Sequence, residues 1–231
     1  MSATPIAAMF DRISPKYDTL NHLLSLNIDK AWRRKAAKAV KKNQPITILD
    51  LATGTADLAI ALAKHNPQAH IIGMDLSEKM LDIGKEKVAQ RKMENQIELR
   101  LGDAADLPFE NNTFDAVTVA FGVRNFEDLD KGLSEIVRVL KPGGQAVILE
   151  FSMPERFPVK QLYRFYFKRL LPKIGKSVSK DPGAYDYLPE SVESFPKPDI
   201  FLELLVRHGL GKGFATPLTF GIATLYTATK L

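Results

Sequence analysis

The chain alternates between short apolar runs and longer amphipathic runs. The short runs predict β-strands, and the amphipathic runs predict helices because their apolar residues recur with the spacing of one helix face. Strands that alternate with helices are typical of a parallel sheet with helices on both faces. Lys141-Pro-Gly-Gly144 supplies a turn after the last of these helices. The predicted strands cover 46–51, 69–74, 97–101, 115–120 and 145–151, and the predicted helices cover 56–65, 78–92 and 129–140.

The two ends of the chain depart from this alternation. The N-terminal part is helical in pattern, with a break expected near Pro15. Residues 155–200 are rich in aromatic, basic and proline residues, which favours a helical insertion or lid. A helix at 199–208 and two strands within 215–230 predict an antiparallel edge. We therefore expect one α/β domain over 1–231, with an N-terminal helical cap (1–42), a ligand-binding core (43–152), a lid insertion (153–200) and a C-terminal helix with edge strands (201–231).

The turn after the first predicted strand resembles a nucleotide-binding turn but is not a dinucleotide motif. That motif requires glycine at 52, 54 and 57, where the chain has Ala52, Gly54 and Asp57. A diphosphate binds to bare backbone amides at the start of the helix, and a carboxylate at Asp57 would repel it. The turn therefore favours a ligand with positive charge and no phosphate. S-adenosylmethionine (SAM), with its ammonium and sulfonium groups, meets that description.

Acidic residues end three successive strands, at Asp50, Asp75 and Asp103. Ligands of open α/β sheets bind at these carboxyl ends. Asp75 has the spacing of a carboxylate that binds both ribose hydroxyls, and Asp103 is placed to accept from the adenine amine. The small side chain of Ala104 leaves room for the ring, while Gly54 and Thr55 would contact the methionine part. A single such acid is usually a helix cap, but the set together with the turn predicts a SAM site.

Composition narrows the class of protein further. The 231 residues contain no cysteine, which excludes disulfides and thiolate metal sites, and no metal is expected. No apolar run is long enough to span a bilayer, and no signal peptide is evident, so a cytoplasmic protein is expected. The net charge of +5 is concentrated in two acid-free runs, 30–42 and 156–180. They indicate either solvated helix faces or contact with an anionic surface.

Several segments are similar to one known family. They are Phe10–Asn21 continuing through Ser25 to Arg33, the turn at 52–57, Phe121-Gly-Val-Arg-Asn125, Arg138–Gly144 running on to Ser152, and Leu171–Gly175 with Tyr185, Tyr187–Ser191 and Phe195-Pro196. On these residues the chain resembles the ubiquinone/menaquinone C-methyltransferases. It departs from the family pattern where Ala52-Thr-Gly-Thr-Ala-Asp57 replaces Gly-Gly-Thr-Gly-Asp, at Leu20 and Asp29 in place of Met and His, and at Ala120 in place of Ser.

The resemblance implies a class I SAM-dependent methyltransferase fold and methylation of a ring carbon on a prenylated quinol. Demethylmenaquinol to menaquinol is the favoured reaction, and the ubiquinone precursor is the close alternative. Arg124 and Asn125 would face the quinol head group, with Arg124 stabilising a developing phenolate. A water, a carboxylate or a histidine would take the proton, since arginine stays protonated. The structural alternative for Arg124 is a salt bridge to a neighbouring acid.

The prenylated substrate that the resemblance implies would give the second basic run, 156–180, a function in membrane contact. Within 156–180, aromatic residues are mixed with lysine and arginine, as in elements that lie at a membrane interface. We expect peripheral association with the inner face of the membrane through this segment, and a homodimer as one oligomeric state. Rival hypotheses are methylation of another small molecule and a non-catalytic SAM-binding or membrane-docking protein. Nucleic acid is not an expected partner, because the motif that grips flipped bases is absent.

Overall fold

A seven-stranded sheet organises the fold. The computed structural model describes residues 5–40, 46–165 and 183–231, with the side chains of 183–186 left out. The strand order is β3-β2-β1-β4-β5-β7-β6; β1 to β5 are parallel, whereas β7 is antiparallel to β5 and β6. The predicted fold class, a mostly parallel sheet with an antiparallel C-terminal edge, is confirmed. The strands are β1 (Thr47–Leu51), β2 (His70–Asp75), β3 (Ile97–Leu101), β4 (Phe114–Ala120), β5 (Leu140–Phe151), β6 (Phe214–Leu218) and β7 (Ala223–Thr229).

Helices cover both faces of the sheet because the strands are apolar on both sides. In β1, Ile48 packs into the core on one face and its neighbour Leu49 into the core on the other. This is the period-two alternation of a strand buried on both faces. The helices are α1 (Pro5–Leu24), α2 (Ile28–Ala39), α3 (Asp57–His65), α4 (Glu78–Gln90), α5 (Leu129–Val139), α6 (Val159–Phe165), α7 (Gly183–Ser194) and α8 (Pro198–Arg207).

The helix break expected near Pro15 does not occur, because Pro15 lies inside the continuous helix α1. A proline removes the amide that would bond to the carbonyl four residues earlier, here that of Asp11. The Ser14 hydroxyl donates to this Asp11 carbonyl at 3.0 Å. The hydroxyl replaces the lost hydrogen bond, so the helix passes through the proline.

Strand β5 begins five residues earlier than predicted. Leu140 pairs with Phe114, and the next pair on β4 joins Gln145 to Ala116, so 141–144 bulge out of the ladder. Gly143, with a φ of 76°, donates its amide to the Lys230 carbonyl at 2.9 Å. The predicted turn is therefore a bulge within one strand, tied to the C-terminal end of the chain.

The order of the strands reverses between β1 and β4, which are adjacent and parallel although β2 and β3 lie between them in sequence. In open α/β sheets, this switch point is where ligands bind. Two predicted elements lie partly or wholly outside the described residues: the segment 171–175 and much of the basic run 156–180. Within the described ranges, no helix is both long and apolar enough to cross a bilayer.

Candidate active site

The turn after β1 is built on left-handed backbone. Ala52, Gly54 and Ala56 have φ angles of 50°, 56° and 65°. Glycine adopts this conformation without cost, whereas a Cβ strains it. Nothing lies within 4 Å of a Cβ placed on Gly54. The two alanines thus place mild strain at the switch point, and Gly54 leaves its backbone open to a ligand.

Asp50 is a structural residue of this turn. Its side chain is fully buried and accepts hydrogen bonds from the hydroxyls of Thr53 and Thr118, each at 2.6 Å. Burial raises the pKa of Asp50 to about 6. The carboxyl therefore joins β1 to β4 and to its own turn rather than facing a ligand.

A smaller cavity lies at the carboxyl ends of β1, β2 and β3 and collects most of the predicted cofactor residues. Gly54, Asp75, Asp103 and Ala104 all line it, as does Asn125. Asp75 accepts from the amides of Gly54 at 2.8 Å and Ser77 at 2.9 Å. Burial raises the pKa of Asp75 above its usual value, against these hydrogen bonds. The carboxylate thus fixes the turn to the end of β2.

The remainder of the cavity suits a nucleoside. Asp103 accepts from the Ala105 amide at 2.9 Å, which holds its carboxylate at the end of β3. Met74 and Met80 add apolar lining beside Ala104. Carboxylates for hydroxyl and amine groups, beside an apolar slot for a ring, are the groups that adenosine requires. The residues present therefore fit SAM.

Thr55 and Asp57 lie behind the turn and do not line this cavity. The Thr55 hydroxyl donates to Asp18 at 2.6 Å and accepts from Lys87 at 3.0 Å. Lys87 also pairs closely with Asp57 and, at 2.7 Å, with Asp18. The charge of Asp57, expected to repel phosphate from the turn, is thus compensated by Lys87 and directed away from the cavity.

Helix α1 lies across the smaller cavity, which retains about 80 Å³ of free space. Ile6, Ala7 and Phe10 on α1 are part of the lining. Besides the contact of Asp18 with the turn, Asp11 accepts from the hydroxyl of Ser77 at 2.5 Å, at the N-terminus of α4. These two carboxylates hold α1 over the cavity.

A larger cavity of about 570 Å³ adjoins the smaller one. Its lining is mainly apolar and comes from α1, α2, α6, α7 and the ends of β4 and β5. Phe10, Tyr17 and Phe121 line both cavities. Burial raises the pKa of Tyr17, so its phenol stays protonated. The two cavities thus share a wall, across which small groups bound on either side lie near each other.

Arg124 lines the larger cavity and is also half of a buried ion pair. Its Nη1 donates to Oε1 of Glu150 at 2.7 Å and to the carbonyl of Phe121 at 2.6 Å. The Glu150 side chain is fully buried, and the Arg124 side chain is 7% exposed. The Nη2 atom has no hydrogen-bond partner among the described residues. The structural interpretation of Arg124, a salt bridge to a neighbouring acid, is therefore observed, and within the described residues it leaves one guanidinium nitrogen without a partner.

Asn125 lines the smaller cavity rather than the larger one. Its Oδ1 accepts from the phenol of Tyr187 at 3.0 Å, and Tyr187 lines the larger cavity. Burial raises the pKa of Tyr187, which keeps it a donor. The predicted pair of Arg124 and Asn125 is therefore divided between the two cavities.

His22, Asp29 and Asp57 form an ion network. The His22 Nδ1 lies 2.8 Å from Asp29, and its Nε2 lies 3.6 Å from Asp57. Asp29 also pairs with Arg33, as Asp57 does with Lys87. Burial raises the pKa of Asp29, but the Ser25 hydrogen bond and the charges of Arg33 and His22 outweigh it, so the pKa lies below its usual value. Both carboxylates already have cationic partners, which argues against a metal at this cluster.

Sequence reasoning missed Lys87, Asp11 and the role of Glu150. Lys87 and Asp11 act on partners 69 and 66 residues away, so no local pattern could reveal them. Glu150 had a signal: it is an acidic residue near the carboxyl end of a predicted strand, as the other candidate acids are. Tyr187 lay in a segment that matched the family but carried no individual signal.

Comparison with solved structures agrees with the class of protein that this fold and site define. A SAM-dependent methyltransferase from Aquifex aeolicus superposes with a TM-score of 0.63 at 19% identity, covering 86% of this chain and 89% of that one. At that identity, the likeness concerns the fold alone.

Sequence comparison places the chain in a particular family. The model of the ubiE/COQ5 methyltransferase family matches residues 1–230, so the chain belongs to that family and is a methyltransferase. A demethylmenaquinone methyltransferase of Bacteroides fragilis is 49% identical over 97% of this chain and 92% of its own length. A ubiquinone/menaquinone biosynthesis C-methyltransferase of Geobacter sulfurreducens is 46% identical over 97% and 88%. The family predicted from the sequence is confirmed, and it implies SAM as the methyl donor.

Proposed function

We propose that this protein transfers a methyl group from SAM to a ring carbon of a prenylated quinol, converting demethylmenaquinol to menaquinol. The observation that carries the proposal is the wall of Phe10, Tyr17 and Phe121, which is shared by a cavity lined with the groups that adenosine requires and by a large apolar cavity. Relatives from Bacteroides fragilis and Deinococcus radiodurans, 49% and 44% identical, are named for the demethylmenaquinone reaction. The ubiquinone precursor is the second candidate acceptor, because other relatives carry both quinones in their names.

The donor belongs in the smaller cavity. We assign the ribose hydroxyls to Asp75, the adenine amine to Asp103, the space for the ring to Ala104, and the methionine part to the open backbone at Gly54. When bound, SAM supplies an activated methyl group on a positively charged sulfur. Thr55 and Asp57 support this site from behind, because Lys87 joins both of them to Asp18 on α1.

The acceptor belongs in the larger cavity, where Arg124 faces its head group. The free Nη2 of Arg124 donates to a quinol oxygen and stabilises the negative charge that develops there as the ring becomes nucleophilic. Glu150 holds the guanidinium so that no reorganisation is needed at that moment. Asn125, held by Tyr187, borders the donor and aligns the ring carbon with the methyl group.

A phenolic proton must leave as the ring carbon attacks the methyl group. The hydrogen on that carbon then leaves as a proton, and the phenol is restored. Asp29 is the carboxylate among the described lining residues of the larger cavity, whereas His22 lies behind it. We therefore narrow the proton acceptor to Asp29 or to a water that it orders. His22 and Arg33 keep Asp29 ionised. Because these contacts also lower its pKa, we favour the water as the acceptor, with Asp29 orienting it.

The prenyl tail requires contact with a membrane. The larger cavity is lined by apolar residues of α6, which lies within the basic run 156–180, a candidate for contact with an anionic surface. We propose a cytoplasmic protein associated peripherally with the inner face of the membrane. A homodimer stays a hypothesis beside this one.

The deciding experiment measures methyl transfer from labelled SAM to reduced demethylmenaquinone and, separately, to the ubiquinone precursor. We expect turnover with demethylmenaquinol, slower turnover with the ubiquinone precursor, and a kcat lowered by about 10² to 10³ when Arg124 is replaced by Met. Equal rates on both quinols would establish a dual-specificity enzyme. If neither is methylated, although SAM binds in calorimetry, the assignment to quinone methylation is wrong.

A further inference from the structure

Exposed apolar side chains are concentrated around the larger cavity. Leu26 is 77% exposed, Phe157 80% and Phe220 81%, each at or near the tip of a turn. All three belong to segments that line this cavity: the α1–α2 turn, the region entering α6, and the turn after β6. Single exposed apolar residues need no explanation, but several around one opening do. Leu23, Ile28, Leu162 and Phe165 add to the same apolar rim.

Two of these tips stand on backbone that their side chains disfavour. Leu26 has a φ of 52° and Phe220 a φ of 59°. Left-handed backbone is uncommon for bulky residues and suits glycine or asparagine. Folding alone would thus select a smaller residue at both positions. A bulky apolar side chain kept there in spite of the strain points to a role outside the folded core.

The turns that carry the tips are anchored to the rest of the protein. The indole of Trp32 donates to the hydroxyl of Thr219 at 2.8 Å, which fixes the turn bearing Phe220. The Asn27 amide donates to the His22 carbonyl at 2.7 Å and closes the turn bearing Leu26. Leu26 and Phe220 are therefore held outward on defined turns.

Basic side chains accompany the rim. Four basic residues near the rim are exposed: Lys30 on α2, Arg156 just before α6, and Lys160 and Arg164 on α6. Apolar tips beside basic groups match the boundary between acyl chains and anionic headgroups. A second copy of this chain fits less well, because the basic groups of two copies would face each other. The rim also continues into the apolar lining of the cavity, so a lipid can pass from one to the other.

We propose that Leu26, Phe157 and Phe220 insert into an anionic lipid bilayer and open the larger cavity directly to it. This proposal rests on the proposed function only in one respect, that the bilayer supplies the lipid substrate of the larger cavity. Bilayer binding itself requires no quinol. Burial of one Leu or Phe side chain changes a partition coefficient by about tenfold or more.

The test measures binding to vesicles of phosphatidylcholine with and without phosphatidylglycerol, with no quinol present. We expect binding that increases with phosphatidylglycerol and decreases about tenfold in each of Leu26→Gly, Phe157→Gly and Phe220→Gly. The melting temperatures of Leu26→Gly and Phe220→Gly should be unchanged or higher, since glycine relieves the backbone; Phe220→Asn provides a second variant compatible with positive φ. Phe214→Ala is the matched control, because Phe214 is an aromatic residue that is 68% exposed on the edge strand β6, and this variant should bind like the parent.

A kinetic measurement separates docking from catalysis. Phe157→Gly and Phe220→Gly should methylate a demethylmenaquinol with a single isoprene unit at the parental rate, while losing turnover on a long-tailed quinol in vesicles. Variants that bind vesicles as the parent does would overturn the proposal. The proposal would also be overturned if the parent protein did not bind vesicles and the variants were found to have lost self-association instead. Absence of turnover by the parent on either quinol would count against the proposed function and leave the vesicle result standing.

Discussion

The buried pair of Arg124 and Glu150 yields a prediction that separates stability from catalysis. Nη1 of Arg124 lies 2.7 Å from Oε1 of Glu150. The Glu150 side chain is fully buried and that of Arg124 nearly so, so water has little access to the pair. Glu150→Gln leaves a buried guanidinium without its counter-charge, and Arg124→Met leaves a buried carboxylate without one. Breaking such a pair from one side costs about 3–5 kcal/mol. Since a domain is stable by about 5–15 kcal/mol, either change removes a large share.

The double variant Arg124→Met with Glu150→Gln should regain much of that stability. It leaves neither charge unpaired, and exchanging both partners of a buried pair is often neutral. Turnover behaves differently, because Nη2 of Arg124 is absent from both Arg124 variants. Loss of one donor to a developing oxyanion lowers kcat by about 10² to 10³. The double variant should therefore be stable but slow.

Urea unfolding and the labelled-SAM assay together measure this prediction. Unfolding free energies come from the two single variants, the double variant and the parent, and kcat comes from each at saturating SAM. Parental kcat in the stable double variant would refute the role of Arg124 at the quinol oxygen. Single variants as stable as the parent would refute the buried pair itself.

Three further predictions concern the donor side. Asp75→Asn should weaken SAM binding about 10- to 100-fold in calorimetry, the effect of losing a charged hydrogen-bond acceptor; unchanged affinity would exclude the ribose role. Asp50 has its pKa raised to about 6 by burial, so it favours the folded state below pH 4 and this contribution is lost as pH rises through 6. Asp50→Asn should therefore gain stability relative to the parent between pH 4.5 and 7.5, by at most about 3 kcal/mol, and a pH-independent difference in urea unfolding would contradict the burial argument. Asp18→Asn and Lys87→Met should speed SAM dissociation in stopped flow, because they release α1. Lys85→Met is the control and should not, since it breaks only an exposed pair on the same helix as Lys87. Equal effects of the Lys85 and Lys87 variants would show that other contacts hold α1.

Local pattern in the sequence was sufficient for most of the fold. An apolar run located β1 to within a residue, because a strand buried on both faces must be apolar throughout. Helical spacing located α8 to within a residue as well. Pro15 misled the prediction because the compensating hydroxyl of Ser14 is invisible to a rule about proline alone. The bulge at 141–144 was predicted as a turn, because the residues that hold it within the strand, on β4 and at Lys230, are distant in sequence.

The sequence by itself determined the sheet, the position of the cofactor turn and the family, since these depend on periodicity and on motifs of adjacent residues. Only the tertiary structure decided which side chains line a cavity. Asp75 and Asp103 line the smaller cavity, whereas Asp57, equally acidic and equally close to the turn, faces Lys87. A strand end specifies where a residue lies, but its orientation depends on charges brought close by packing. For the same reason, the division of Arg124 and Asn125 between two cavities became visible only in the folded chain.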